Sequence, residues 1–280
     1  QDLHHSRLAD AWATLKAQND AGVDLQPDAS RIAFADPEFL LRRDTRGIRF
    51  QLELLKADID QAEHGIENTI VVFGSARFKS EETAKSLLAQ AKANGDAQQI
   101  AQSERLLRNS AHYETARAFA RLVASYSADK RPEDKLFICT GGGPGIMEAA
   151  NRGAHEVGGV SVGLSIALPF EEKANPYVTP HLSFKFHYFA ARKMHFMMRA
   201  KALVACPGGF GTLDELFEIM TLVQTRKSKP VPIFLLGKDY WTRLINFDVL
   251  IEEGTISPQD MGLFTITDDP QEAWAAIKAF

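Results

Sequence analysis

The chain has 280 residues, 45% of them hydrophobic and 24% charged, with a formal net charge of −4. These proportions fit a soluble globular protein of one large domain or two small ones, and the acidic balance argues against a broad nucleic-acid surface. Two cysteines, Cys139 and Cys206, read as reduced core thiols in a cytoplasmic protein. No apolar run reaches membrane-spanning length, and Gln1-Asp2-Leu3-His4-His5 lacks the charged-then-apolar order of a signal peptide.

Residues 1–66 contain no strand-like run. Ser6–Gln18 and Thr45–His64 carry Leu, Ile and Ala at helical spacing, and Asp36-Pro37-Glu38 is a helix start. The expectation is an N-terminal helical extension over 1–66 and a main domain over 67–280. From Asn68 the chain alternates. The apolar runs are Ile70–Phe73, Leu136–Cys139, Val160–Leu168, Leu203–Cys206, Val231–Leu236 and Leu263–Ile266. Helical segments separate most of them, the longest being Glu81–Tyr126 with an expected turn at Asn94-Gly95-Asp96. Such alternation predicts an α/β fold: a mainly parallel, Rossmann-like sheet with helices on both faces.

Three of the strand ends carry glycine. The first is Gly74-Ser75. The second is Thr140-Gly141-Gly142-Gly143-Pro144-Gly145, leading into Ile146–Ala154 of helical composition. The third is Pro207-Gly208-Gly209-Phe210-Gly211-Thr212-Leu213-Asp214-Glu215, followed by a helical run to Gln224. Glycine lets backbone N–H groups approach an anion, and a helix N-terminus adds partial positive charge. Three such junctions predict one cleft for a phosphorylated ligand. The dinucleotide fingerprint is broken, since the sixth position is Ile146 counted from Gly141 and Glu148 counted from Gly143. The nucleoside-triphosphatase loop lacks its lysine between Gly211 and Thr212. The bland reading of Thr212-x-x-Glu215 is a capping box that only finishes a helix.

Between the strands, Pro169–Tyr177 is a polar, proline-bounded loop, either a lid or a solvated connection. Phe184–Phe189 alternates, and Ala190-Ala191-Arg192-Lys193 opens a helix. Arg192 and Lys193 form an adjacent cationic pair near the cleft or, on the bland reading, a solvated helix face. His187 and His195 lack metal-ligand spacing, so no metal is expected.

Taken together, GGGPGIMEAAN, AARK and PGGFGTLDE resemble the LOG ("Lonely guy") family of cytokinin-activating phosphoribohydrolases, often labelled lysine decarboxylases. The resemblance runs from about Asn68 to the C-terminus. Many short members have Met-His-x where this chain has Phe189-Ala190-Ala191, and they lack the long extension. Both departures look like the longer bacterial branch. The resemblance implies hydrolysis of a nucleoside 5′-monophosphate to free base and ribose 5-phosphate, without cofactor. It implies catalytic roles for Arg192 and Glu215, and a phosphate loop of Gly208, Gly209, Gly211 and Thr212. It also implies substrate contacts by Glu171 and Lys193. Gly74, Ser75, Gly141, Gly142, Gly143, Gly145, Asn175 and Phe210 complete the expected substrate-binding set. A homo-oligomer, dimer or hexamer, follows from the resemblance and from the apolar faces of the extension. The alternative is a nucleotide sensor or carrier that binds without turnover. Such a protein would not require both Arg192 and Glu215.

Overall fold

A computed structural model describes residues 32–168 and 173–280, and before them residues 13, 16, 17, 20 and 21. Most of the helix expected over Ser6–Gln18 lies outside the described residues. So does the segment 169–172, and with it Glu171 and the first half of the possible lid. The chain forms two compact units, Gln1–Leu55 and Lys56–Phe280.

In the first unit, α1 (Pro37–Leu41) begins where the sequence predicts. The Asp36 carboxylate accepts from the backbone N–H groups of Glu38 (3.0 Å) and Phe39 (3.1 Å), and Pro37 supplies a preset φ. The next helix, α2, spans Arg46–Glu63.

The second unit is built on seven parallel strands: β1 (Thr69–Phe73), β2 (Phe137–Thr140), β3 (Ser161–Ile166), β4 (Ser183–Phe186), β5 (Ala200–Ala205), β6 (Ile233–Leu236) and β7 (Thr265–Thr267). Their order is β4-β3-β2-β1-β5-β6-β7. This is the expected Rossmann-like α/β sheet with helices on both faces. Six strands coincide with apolar runs. The seventh, β4, comes from the alternating Phe184–Phe189 stretch. Only Phe184 and Phe186 of β4 are buried, as befits an edge strand with one covered face, so no continuous apolar run announces it.

β1 is buried along its whole length because both faces are covered. Ile70 and Val72 pack with Tyr113, Phe119 and Val123 of α4 (Ala97–Ala128) and Ile146 and Ala150 of α5 (Ile146–His155). Phe73 points the other way and meets Phe196 of α6 (Phe189–Met198) edge-on at 4.8 Å. Each such aliphatic side chain contributes about 1.5–3 kcal/mol by leaving water. The turn expected at Asn94-Gly95-Asp96 separates α3 (Glu81–Asn94) from α4. Gly95 takes φ 70° as the C-cap, and Asp96 caps the next helix through the N–H groups of Gln98 and Gln99. Cys139 and Cys206 are buried free thiols, and burial pushes both thiol pKa values up. Among the described residues no helix is long and apolar enough to cross a membrane.

Candidate active site

The first half of the sheet grows outward from β1, and the second half restarts beside it at β5. A crevice forms where the order reverses, above the C-terminal ends of neighbouring strands. The glycine-bearing strand ends meet there and are stitched together. Ser75 N–H donates to Pro207 O, Cys206 N–H to Phe73 O, and Ile146 N–H to Ser75 O, each at 2.9 Å. The resulting cleft holds about 640 Å³ and is lined by the Gly74–Phe78 turn, Gly141, Met147, the Gly208–Thr212 loop, Arg192 and Glu215. A smaller lobe of about 180 Å³ adjoins it, lined by Gly141–Gly143, Ser165, Lys173, Lys185 and Arg192.

Arg192 on α6 and Glu215 on α7 (Phe210–Gln224) come from helices on either side of β5 in the chain. Arg192 Nη2 donates to Glu215 Oε1 at 2.7 Å, and both side chains are nearly buried. The guanidinium lies over the rings of Phe189 and Phe196, at 5.4 and 5.5 Å. Its Nε is buried with no hydrogen-bond partner among the described residues. Burial pushes the Glu215 carboxyl up to about 7. Arg192 and Lys193 pull it down, and Asp214 and Glu218 add to the rise. An apolar pair would stabilise such a position as well or better, so this ion pair is weak evidence of a stabilising role.

The capping-box reading fails. The helix starts one turn earlier than it requires: Gly209 is the N-cap of α7, with no side-chain cap, and Thr212 is the third helical residue. Thr212 instead folds over Gly208, where a Cβ would meet its Oγ1 at 2.2 Å. Among the described residues the first N–H groups of α7 therefore have no side-chain acceptor. Phe210 is 93% exposed at the cleft mouth.

Two expected substrate contacts are engaged elsewhere. Lys193 turns from Arg192 to the outer side of α7 and pairs with Asp214 and Glu218 at 2.8 Å each, outside the main cleft. Asn175 is buried and braces the second glycine loop. Its Nδ2 donates to Gly142 O (3.1 Å), Gly143 O (2.9 Å) and Asn151 Oδ1 (2.9 Å). Asn151 in turn binds Thr140 and Ser161, so this cluster shapes the loop from beneath.

Four cleft residues lie outside every motif: Arg77, Asn109, His112 and Tyr240. The Tyr240 hydroxyl, on α8 (Lys238–Leu244), donates to Gly208 O. Arg77 directly follows the Gly74-Ser75 strand end, but nothing near the other three in the chain marks them. Asn109 and His112 sit mid-helix in α4 and reach the cleft only through the tertiary fold. Among the described residues no group of three His, Cys, Asp or Glu is arranged to hold a metal ion.

Known proteins resemble this chain in sequence. A family model described as possible lysine decarboxylase matches residues 147–277. A probable cytokinin riboside 5′-monophosphate phosphoribohydrolase of Oryza sativa subsp. japonica is 31% identical over 144 residues, covering 50% of this chain and 61% of that protein. A cytokinin riboside 5′-monophosphate phosphoribohydrolase of Arabidopsis thaliana is 28% identical over 149 residues, covering 52% of this chain and 64% of that protein. Over about half its length the chain is similar to LOG phosphoribohydrolases. The matches span less than two thirds of these LOG relatives. Among solved structures, the molybdenum cofactor binding protein of Rippkaea orientalis aligns over 76% of this chain and 96% of its own. The TM-score is 0.46 and the identity 18%.

Proposed function

We propose that this chain hydrolyses the N-glycosidic bond of nucleoside 5′-monophosphates, with AMP or its cytokinin counterpart as substrate, releasing free base and ribose 5-phosphate. The observation that carries the reading is the buried Arg192–Glu215 pair, 2.7 Å apart, in one cleft with the uncapped glycine-lined start of α7. The N–H groups of that helix start take the phosphate. Binding energy from the phosphate positions the ribose over the carboxylate. As the C1′–N bond breaks, positive charge grows on the sugar, and the Glu215 carboxylate stabilises it. The water oxygen bonds to C1′, one water proton leaves to solvent, and the departing base gains one. Arg192 remains protonated and acts by holding oxygens. The resemblance adds a homo-oligomeric assembly and a cytoplasmic setting to this proposal.

The test is base release, followed by chromatography, from AMP and from adenosine. The wild type is expected to release adenine from AMP and to ignore adenosine. Glu215→Gln is expected to lower turnover about 10²–10³-fold while AMP still binds. Equal rates with AMP and adenosine, or wild-type turnover in a folded Glu215→Gln variant, would sink the reading. AMP bound by the wild type without base release would instead make the protein a nucleotide carrier.

A further inference from the structure

Three polar side chains of the cleft belong to no glycine motif and make no side-chain hydrogen bond among the described residues. Arg77 follows the Gly74-Ser75 turn, and its backbone N–H, not its guanidinium, donates to Ser75 Oγ at 3.1 Å. Asn109 and His112 stand one turn apart on α4 and face the same cleft as the Gly208–Thr212 loop. The His112 ring is held firmly. It stacks on Phe78 with centroids 5.8 Å apart and planes at 24°. Its Cε1 lies 3.2 Å from where a Cβ on Gly237 would be. Burial lowers the His112 pKa against the opposing pull of Asp268 and Asp239, so at neutral pH the ring offers one N–H donor.

Among the described residues lining this cleft Glu215 is the one carboxylate, and Arg192 already occupies it. The uncommitted polar groups are thus mainly donors: a guanidinium, an amide and an imidazole N–H. A phosphate presents more acceptor sites than one helix start can fill, and charge-assisted bonds from a second side are strong. We infer that Arg77, Asn109 and His112 hold the 5′-phosphate from the wall facing the start of α7, and that they set the preference for a phosphorylated ligand. The inference rests on the reading above in taking the anion to that helix start. It adds three positioning residues that the glycine loops alone do not supply.

The experiment is calorimetric binding of ribose 5-phosphate and of adenosine to the wild type and to Arg77→Met, Asn109→Ala, His112→Ala and His112→Gln, each checked for an unchanged melting temperature. Each alanine or methionine variant is expected to weaken ribose 5-phosphate binding about tenfold, the usual loss for one hydrogen bond to a charged group. Adenosine binding should change less than twofold, and His112→Gln should recover part of the loss. Unchanged ribose 5-phosphate affinity in all the folded variants overturns the inference. A parallel loss of adenosine binding does so too, because it would put the cluster against the base. A wild type that binds ribose 5-phosphate through these residues yet releases no base from AMP refutes the hydrolase reading and leaves this inference standing.

Discussion

The two larger glycine loops look alike in sequence and differ in what their glycines are for. In Gly141–Gly145 the protein itself fills the space. A Cβ on Gly145 would lie 2.2 Å from Ser75 O, and Cβ atoms on Gly141 and Gly143 would each come within 2.8 Å of Met147. Gly142 and Gly145 also take φ of 69° and 72°. In Gly208–Gly211 only Gly208 is crowded, by Thr212. Among the described residues, Cβ atoms on Gly209 and Gly211 would meet nothing within 4 Å. A glycine that neither packing nor backbone requires, at an uncapped helix start facing a cleft, keeps room for something outside the chain. On the proposed function, the first loop is scaffold and the second is the surface that would meet the ligand.

Exchanging one glycine in each loop for alanine would break this comparison most directly. In Gly145→Ala the new methyl collides with backbone, which cannot rotate away, at a φ that alanine resists. The expected cost is more than about 3 kcal/mol, seen as a large fall in melting temperature or a loss of soluble protein. Gly211→Ala should do the opposite. Alanine is the better helix former by up to about 1 kcal/mol, so melting should hold or rise. The methyl would stand in the phosphate's approach, and kcat/KM should fall about 10²-fold. If Gly211→Ala keeps full activity, the second loop is not the phosphate surface.

How much of this was legible in the sequence follows the same division. The strands show themselves because each buried strand needs a continuous apolar run, and the glycine junctions because they interrupt those runs. The pairing of Arg192 with Glu215 is not legible locally. The two lie 23 residues apart and meet because their helices flank one strand; only the family resemblance singles them out. Adjacency misled for Lys193. Neighbours on a helix point about 100° apart, so Arg192 enters the cleft while Lys193 reaches Asp214 and Glu218. Asn175 is one of the expected substrate contacts. Its burial beneath the Gly141–Gly145 loop is a tertiary fact. Asn109, His112 and Tyr240 carry no local signal at all.

The ligand-facing side should also respond to pH where the scaffold side does not. Glu215 has a pKa raised to about 7, chiefly by burial. A raised acid binds its proton more tightly in the folded than in the unfolded state. Its contribution to stability is complete below the ordinary carboxylate range and is lost as pH rises toward 7. Activity should move the other way. If the carboxylate stabilises the sugar cation, kcat/KM rises with pH through a limb near 7, apart from the titration of the substrate phosphate near 6. Glu215→Gln should remove that limb along with most of the rate. A limb that instead falls near 7 would make Glu215 a proton donor to the leaving base.

The smallest expected effect tests how each loop is braced. Asn175 gives the first loop two side-chain bonds to its carbonyls and a third to Asn151. Asn175→Ala would take the side-chain donor from Gly143 O, while Gly142 O keeps the Asn175 N–H and Asn151 Oδ1 keeps Thr140, at about 1–3 kcal/mol. The second loop has one side-chain brace among the described residues, the Tyr240 hydroxyl on Gly208 O. Tyr240→Phe keeps the ring and deletes only that bond, so its expected cost is about 1 kcal/mol or less. Its consequence should fall on function. The carbonyl and N–H of one peptide unit are fixed relative to each other, so freeing Gly208 O also frees Gly209 N–H, one of the donors beside the phosphate. The expected outcome is a several-fold rise in KM for AMP with melting almost unchanged, whereas Asn175→Ala should melt lower with a KM near wild type in whatever remains folded. The reverse pattern, with KM moved by Asn175→Ala and untouched by Tyr240→Phe, would interchange the roles of the two loops.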